Sequence, residues 1–245
     1  MNNLLITQIP VIDSTNEHMK RLISDGKVSG GSFLIAEFQE AGRGHGSNAW
    51  HSMPGMNLLG SLYIELSDIP ASDPFLISCI VSLALTEMAE EETRKQAAIK
   101  WPNDIYVENR KLAGLLIENT VSGNELKSSV IGIGLNVNQA EFPDALPNPV
   151  SLFQIDGRKR RIEDLATKTG MRILDMLSRI SATGTLSIRE AYQQRLYRLN
   201  EWSLYEYESK RFSARITGID EYGRLVLETE GKQKIAAGFK EIVFL

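Results

Sequence analysis

The sequence KWPNDIYV at residues 100–107, followed closely by RKLAG at residues 110–114, is the most informative stretch of this chain. Pro102 cannot donate a hydrogen bond to a neighbouring strand, so a first strand is expected to end there. Asn103 and Asp104 are typical turn residues, and in a turn their side chains are free to act. The stretch therefore predicts a strand end followed by a turn that carries an amide and an acid.

A β-hairpin is expected directly after this turn. Residues 105–107 and 112–117 have the composition of strands, and the polar residues 108–110 would form the tip between them. Such a hairpin brings Lys111 close to Asp104, so that a cation, an acid and an amide surround one concave point. An ordinary hairpin does not require the sequence Trp-Pro-Asn-Asp before its first strand. The presence of this sequence favours a binding or catalytic site over residues that only form a turn.

The bulk composition narrows the class of protein. With 245 residues, 42% hydrophobic and 24% charged, the chain is typical of a globular protein of one or two domains. A formal net charge of −4 gives no electrostatic argument for a nucleic acid partner. The single cysteine, Cys79, excludes an internal disulfide and a cysteine metal cluster, and its apolar surroundings predict a buried, unreactive thiol. We see no signal peptide, no long apolar run and no spacing of metal ligands, so we expect a cytoplasmic location, no membrane partner and no protein metal site.

Hydrophobic periodicity and end signals predict the other elements. Strands are expected over residues 4–12, 33–38, 58–66, 130–137, 212–219, 225–228 and 235–244. Helices are expected after residue 14, from residue 74 to about 92, and over residues 162–180 and 188–199. Ser14 and Glu17 have the spacing of a capping box at the first helix. Residues 40–57 and 139–157 are expected to be loops.

This pattern predicts an α+β chain of two units. The larger is a mixed-sheet catalytic domain over residues 1–200, and the smaller is a β-barrel-like unit over residues 201–245. Because so small a unit buries little surface by itself, we expect it to dock on the larger one.

Two motifs near the start of the chain have both a plain and a functional interpretation. The sequence STN at residues 14–16 is by itself typical of a helix start, although such a start also offers spare backbone donors to a ligand. The run AGRGHG at residues 41–46 is by itself a flexible turn, and it is not a Walker A loop. However, Arg43 has a fork of donors suited to carboxylates and phosphates, and the glycines would let the loop close over an anion.

Three single residues further along carry weaker signals. Trp50 is equally compatible with packing and with stacking on a nucleotide base. Gly132 and Gly134 interrupt an apolar strand, which indicates a bulge or the close approach of another group to the backbone.

Taken together, these motifs resemble those of the biotin–protein ligases. Four family runs are matched: Ser-Thr-Asn at residues 14–16, Gln-x-Ala-Gly-Arg-Gly at 39–44, Lys-Trp-Pro-Asn-Asp at 100–104 and Lys-(Leu/Ile)-(Ala/Gly)-Gly at 111–114. Residues 132–136 are similar to a fifth run, Gly-x-Gly-Ile-Asn, with leucine in place of isoleucine. They occur in the family's order and span residues 13–138. The resemblance implies the biotin/lipoate protein ligase fold with a small C-terminal SH3-like β-barrel.

The resemblance also implies a reaction and its partners. Biotin and ATP would form biotinyl-5′-AMP with the help of Mg²⁺, and a lysine of a biotin carboxyl carrier protein domain would then accept the biotin. Because the first motif starts at residue 14, we expect the monofunctional type, without an N-terminal DNA-binding domain. The oligomeric state stays open, with a homodimer as one alternative.

Site residues follow from the matched motifs. Catalytic roles fall to Lys111, Arg43 and Asp104. Biotin binding falls to Ser14, Thr15, Asn16, Gln39, Gly42, Arg43, Lys111, Gly114 and Gly132. Nucleotide binding falls to Arg43, Trp50, Asn103, Lys111 and Asn136. For Asp104 three roles remain open: to orient Lys111, to assist a magnesium ion, or to accept the proton of the acceptor lysine.

The glycine-rich loop departs from the family in one respect. Relatives continue Gly-Arg-Gly-(Arg/Gln)-Arg-Gly, whereas this chain has His45, Gly46 and Ser47 after Gly44. The second arginine is missing, so Arg43 is expected to carry the anionic contacts of the loop alone.

Two alternatives to a biotin ligase remain. A lipoate–protein ligase has the same fold and a similar Asn-Asp…Lys hairpin, but its Arg-Arg…Gly-Gly-Gly segment is absent here. A non-catalytic biotin-binding regulator is the other alternative, and the intact residues Asn103, Asp104 and Lys111 argue against it.

Overall fold

The computed structural model describes residues 3–44, 46, 48–67 and 69–245. Its strands are β1 (Leu5–Ile12), β2 (Ser32–Gln39), β3 (Leu58–Glu65), β4 (Ala97–Lys100), β5 (Asp104–Val107), β6 (Arg110–Ser122), β7 (Glu125–Leu135), β8 (Trp202–Tyr207), β9 (Lys210–Ile219), β10 (Leu225–Thr229), β11 (Lys234–Ala237) and β12 (Ile242–Phe244). Its helices are α1 (Thr15–Ser24), α2 (Phe75–Thr93), α3 (Leu152–Asp156), α4 (Ile162–Thr183) and α5 (Thr185–Gln194).

A seven-stranded mixed sheet forms the larger unit. Its order is β1-β2-β3-β7-β6-β5-β4, and only the β1–β2 pair is parallel. Along β2, Phe33 and Ile35 belong to the large core that includes α2, whereas Leu34 and Ala36 belong to a smaller core that includes α1. This alternation is the period of two of a β-strand, and it shows that both faces of the sheet are covered.

Helix α2 is apolar around most of its circumference because it lies between the sheet and the helices α4 and α5. Cys79 lies in this helix with no exposed surface, and burial raises the pKa of its thiol to about 12. The predicted buried thiol is therefore confirmed. In the described ranges, no helix has the combination of length and apolar character that crossing a bilayer requires.

The C-terminal strands form a separate five-stranded antiparallel sheet with the order β11-β10-β9-β8-β12. This sheet packs on the larger unit, as expected. Trp101 Nε1 donates to the Gly223 carbonyl at 2.9 Å, and a Cβ atom at Gly223 would come 2.7 Å from Cβ of Phe75. Arg189 of α5 also donates to the carbonyls of Asp220 and Glu221, at 3.3 and 3.0 Å. The strand that ends in the KWPND motif is thus tied to the small unit.

The prediction that residues 139–157 are entirely loop is wrong, because they include α3. Ser151 and Gln154 form a capping box, with bonds of 3.1 and 3.2 Å between side chain and backbone. Gly157, with φ of +74°, ends the helix. The prolines that suggested a loop all precede Ser151, so they do not interrupt this turn of helix.

Two C-terminal boundaries also differ from the expectation. The helix expected over residues 188–199 is α5, which begins and ends earlier. After Gln194 the backbone of Arg195 and Tyr197 bonds Ile99 of β4, at 2.7 and 2.9 Å, instead of continuing the helix. The strand expected over residues 235–244 is two strands, β11 and β12, separated by a turn over residues 238–241.

The predicted capping box at Ser14 and Glu17 is wrong. Ser14 does precede α1, but its side chain makes no capping hydrogen bond. The Glu17 carboxylate instead accepts from Lys20 and Arg43, each at 2.8 Å. These charge-assisted bonds are stronger than a neutral contact with a backbone amide, which explains the difference.

Candidate active site

A cavity of about 450 Å³ lies where the sheet, the loop of residues 40–57 and the C-terminal unit meet. This volume is typical of sites for small molecules. Most residues assigned to a site from the sequence line it: Ser14, Thr15, Asn16, Gln39, Arg43, Trp50, Asn103, Asp104, Lys111, Gly114 and Gly132. The assigned residues outside the described lining are Gly42 and Asn136.

Lys111 and Asp104 form an ion pair at the centre of the cavity wall. Nζ of Lys111 lies 2.7 Å from Oδ1 of Asp104, and both side chains are mostly buried. Asp104 is the first residue of β5 rather than a turn residue, and it pairs with Gly114 of β6. An irregularity in this pairing after Ile105 places Lys111 opposite Tyr106. The hairpin therefore brings acid and cation together, as its sequence predicted.

Asn103 holds the turn before β5. Its Nδ2 donates to the Leu115 carbonyl at 2.6 Å, and its own carbonyl accepts from the Leu115 amide at 3.0 Å. Both hydrogen bonds of Asn103 stabilise the turn, as expected of a turn residue. The residue also lines the cavity. The peptide bond between Trp101 and Pro102 is cis.

The STN residues form another part of the cavity wall, within a buried hydrogen-bond network. Thr15 donates from its amide and its hydroxyl to Gln39 Oε1, at 2.7 and 3.0 Å. Oγ of Ser61 lies 2.8 Å from Oγ1 of Thr15, and its one proton is donated to Oδ1 of Asn16 at 2.5 Å. Nδ2 of Asn16 bonds the Glu118 carboxylate at 2.8 Å. These contacts fix both side chains, and no motif of the sequence indicated Ser61 or Glu118.

At the glycines that the sequence predicted to allow a close approach, other side chains of this chain contact the backbone. A Cβ atom at Gly132 would lie 2.6 Å from Oδ1 of Asn16. At Gly114 and Gly134 it would lie 3.1 and 2.7 Å from ring atoms of Trp50. The two glycines therefore form a flat seat for the indole, and Lys111 Nζ lies 5.6 Å from the ring centroid. Nε1 of Trp50 is buried without a hydrogen-bond partner among the described residues.

The glycine-rich loop folds back on itself beside the cavity. The Trp50 amide bonds the Gly42 carbonyl at 3.0 Å, and the Gly44 amide bonds the Asn48 carbonyl at 2.7 Å. A Cβ atom at Gly42 would lie 2.7 Å from the Trp50 carbonyl, so this glycine shapes the loop rather than the cavity wall. Arg43 reaches across to α1 and pairs with Glu17 at 2.8 Å. His45 and Ser47 lie outside the described residues.

Asn136 is not brought to the cavity wall. Its side chain is buried, and Nδ2 donates to the carbonyls of Val150 and Lys111 at 3.1 and 3.4 Å. Its amide bonds the Leu112 carbonyl at 3.0 Å. In the structure, Asn136 therefore joins the end of β7 to the backbone of the Lys111 strand.

The C-terminal unit supplies lining residues that sequence reasoning missed. These are Phe239, Lys240, Ile242, Val243 and Phe244. They lie more than one hundred positions from the KWPND motif, and local patterns give no signal across such a separation.

Lys100, which is not among the site residues assigned from the sequence, also lines the cavity. Its Nζ lies 5.1 Å from the ring centroid of Tyr106 and 4.9 Å from that of Phe244. Burial lowers the pKa of Lys100, and the nearby Asp104 carboxylate opposes that shift. Burial likewise raises the pKa of Tyr106 to about 12.

The described residues that line the cavity carry more positive than negative charge. Its cations are Arg43, Lys100, Lys111 and Lys240, and its carboxylate is Asp104. Within the described part of the chain, no three His, Cys, Asp or Glu side chains come together as metal ligands. Such a cavity is suited to a ligand with several negative charges.

Comparison with known proteins places the chain in a family. The model of the Biotin/lipoate A/B protein ligase family matches residues 8–136, and that of the Biotin protein ligase C terminal domain matches residues 206–239. The biotin–[acetyl-CoA-carboxylase] ligase of Paracoccus denitrificans is 30% identical over 233 residues, which are 92% of this chain and 95% of that protein.

Other relatives include longer proteins. The bifunctional ligase/repressor BirA of Bacillus subtilis is 31% identical over 92% of this chain and 70% of its own length. BirA of Escherichia coli is 34% identical over 143 residues, and the match spans only 44% of that protein.

A solved structure agrees with the fold along nearly the whole chain. The biotin protein ligase from Aquifex aeolicus in complex with biotin and ATP superposes with a TM-score of 0.79 at 25% identity, covering 98% of both chains. The fold class expected from the sequence, a mixed-sheet domain with a small all-β C-terminal unit, is confirmed. This chain belongs to the biotin/lipoate A/B protein ligase family and carries the C-terminal domain of its biotin protein ligases.

Proposed function

We propose that this chain is an ATP-dependent biotin–protein ligase that biotinylates a lysine of a biotin carboxyl carrier protein domain. The observation that supports this most directly is the Lys111–Asp104 ion pair in a cationic cavity that the buried STN residues also line. The names of the relatives, which include a biotin–[acetyl-CoA-carboxylase] ligase, support the same reaction class.

In the first step, the carboxylate oxygen of biotin attacks the α-phosphorus of ATP. The bond from this phosphorus to the β-bridging oxygen breaks, pyrophosphate leaves, and biotinyl-5′-AMP forms. Both reactants are anions, so the main work of the protein is to hold them together and offset their repulsion. Lys111 takes this role, with Arg43 as the second cation.

The part of the wall formed by the STN residues would hold the ureido ring of biotin. That ring offers two N–H donors and one carbonyl acceptor, and hydroxyl groups can serve both. Ser14, Thr15 and Asn16 line the cavity, and Ser14 makes no capping bond that a ligand would have to break. Biotin bound there would extend towards Lys111 with its carboxylate.

In the second step, the amine of the acceptor lysine attacks the carbonyl carbon of biotinyl-5′-AMP. The bond from this carbon to the AMP oxygen breaks, and the amine loses a proton. Asp104 is the carboxylate of the described lining, so it is our candidate for orienting Lys111 or for accepting this proton. A magnesium ion would offset the triphosphate charge; it commonly takes one or two carboxylates together with phosphate oxygens, and Asp104 fits that donor set.

We also infer the division of labour between the two units. Residues 1–200 would form the biotin and ATP domain, and residues 201–245 the small unit that closes one side of the cavity. The five-stranded sheet, which begins at Trp202, supports this boundary.

Biotin-dependent exchange between ATP and labelled pyrophosphate tests the proposal. We expect exchange with biotin and none with lipoate, followed by transfer to a purified carrier domain. Exchange with lipoate alone would indicate the lipoate ligase alternative. Biotin binding without exchange would indicate the non-catalytic regulator.

A further inference from the structure

A lysine of the C-terminal unit lies where the loop lacks its second arginine. Gly46 occupies that position, and its φ of +70° is in the left-handed region. A Cβ atom at Gly46 would fall on Nζ of Lys240 and lie 3.1 Å from Cε of the same side chain. The ammonium group thus occupies the space in which a side chain at position 46 would begin.

The turn that carries Lys240 is closed by its own hydrogen bonds. The Glu241 amide bonds the Gly238 carbonyl at 3.1 Å, and the Gly238 amide bonds Oε2 of Glu241 at 2.6 Å. Lys240 has φ of +65°, and its Nζ lies 5.8 Å from the ring centroid of Phe239. The Glu241 carboxylate is therefore used inside the turn, and the lysine projects towards the loop.

Lys240 differs from the other cations of the cavity. Arg43 and Lys111 each hold a carboxylate, at 2.8 and 2.7 Å, and Lys100 is packed against aromatic rings. Lys240 has no carboxylate within ion-pair distance among the described residues. An anion that entered this side of the cavity could pair with Lys240 without breaking an existing ion pair, which makes the contact favourable.

We propose that Lys240 binds the phosphates of the nucleotide above the loop and so replaces the arginine that the loop lacks. This inference rests on the proposed ligase function. A lysine is a compact charge that serves phosphates well, although without the paired geometry of an arginine. Because the cation comes from the other unit, closure of the loop over the nucleotide depends on the docking of the C-terminal sheet.

The first test removes the charge. Lys240→Gln should raise the KM for ATP in the exchange reaction roughly tenfold, the loss expected of one charge-assisted contact, with the Kd of biotin unchanged. Lys240→Arg should restore most of the affinity. Lys232→Gln is the matched control, because Lys232 also lies in a turn of the small sheet with a positive φ, of +60°, but outside the cavity lining.

The second test changes the loop residue that contacts Lys240. Gly46→Ala places a methyl group on the Lys240 ammonium, so it should raise the KM for ATP as Lys240→Gln does. Gly55→Ala is the control, because Gly55 has the same φ of +70° with no atom within 4 Å of its Cβ position. In the double variant the second change should add little, which identifies a shared contact.

The outcomes separate the two proposals. An active parent whose KM for ATP is unchanged by Lys240→Gln overturns the role of Lys240 and leaves the ligase function standing. Equal effects of Gly46→Ala and Gly55→Ala also overturn it, because backbone strain would then be the cause. A parent without biotin-dependent exchange overturns the ligase function, and the role of Lys240 with it.

Discussion

The two ends of the cavity are built in different ways. At the STN end, Thr15 and Asn16 are at most 4% exposed and are fixed by bonds to Gln39 and Ser61. At the loop end, Arg43 is exposed and bound to Glu17. Buried networks keep a fixed geometry, whereas exposed ion pairs contribute little and weaken with salt. The first end suits a rigid uncharged ring, and the second suits a flexible anion around which it can assemble.

The largest effect is expected at Lys111, between the two ends. Lys111→Ala should lower the rate of biotinyl-5′-AMP formation by about 10²–10³-fold, because the repulsion of the two anions is no longer offset. Arg110→Ala is the matched control on the same hairpin, since Arg110 lies outside the cavity lining. Single-turnover formation of the adenylate measures both. A Lys111→Ala rate equal to the parent's would remove Lys111 from the mechanism.

The rigidity of the STN end can be broken at Ser61. Ser61→Ala removes the hydroxyl that donates to Asn16 and contacts Thr15. It should lower the free energy of unfolding by about 1–3 kcal/mol, with roughly tenfold weaker biotin binding. Ser82→Ala is the control, because Ser82 is equally buried but has no hydrogen-bond partner among the described residues. Urea unfolding and calorimetry with biotin check both variants. Indistinguishable results for the two would contradict a preorganised wall.

A smaller effect is expected at the loop end. Arg43→Ala should speed the dissociation of biotinyl-5′-AMP by roughly fivefold to tenfold and increase the biotinylation of bystander lysines, because one charge-assisted contact is lost. Arg21→Ala is the control, since Arg21 is an exposed arginine of α1 paired with Asp13. The difference between parent and Arg43→Ala should shrink with added salt. Equal dissociation rates at low salt would mean that the loop is not a lid.

The smallest effect concerns stability at Lys100. Burial lowers the pKa of this lysine, so the native state binds fewer protons than the unfolded chain between the lowered pKa and the ordinary value of 10.5. Stability from this group therefore rises as the pH increases through that window. Lys100→Met should remove this rise and raise Tm at pH 7, because the cost of burying the charge is gone. Thermal unfolding at pH 7 and pH 10 measures it, and an unchanged pH dependence would contradict the role of burial.

The sequence predicted local features better than distant ones. The KWPND hairpin depends on proline, turn and strand preferences within a few residues. The structure has this hairpin, with its tip shifted to Glu108 and Asn109 and with Asp104 in β5 rather than in the turn. Lys111 and Asp104 meet because adjacent strands pair, which a local pattern can express.

The remaining features of the site depend on tertiary structure, which local sequence patterns do not predict. Ser61 reaches the STN residues through the sheet order. Lys240 reaches the cavity through the docking of the small unit, and neither residue leaves a local pattern. Motif matching assigned Asn136 to the nucleotide, but its amide bonds backbone carbonyls instead. The expectation that Arg43 acts alone in the loop likewise did not include a cation from the other unit.

The seat of Trp50 has an optical consequence. Its indole rests on Gly114 and Gly134 with a buried N–H that has no described acceptor, whereas Trp202 is 49% exposed. An indole in a dry environment emits at shorter wavelength than one in water, and a new hydrogen bond to its N–H shifts that emission. With Trp101 and Trp202 replaced by phenylalanine, the fluorescence of Trp50 would report the filling of the cavity in real time, without any added dye.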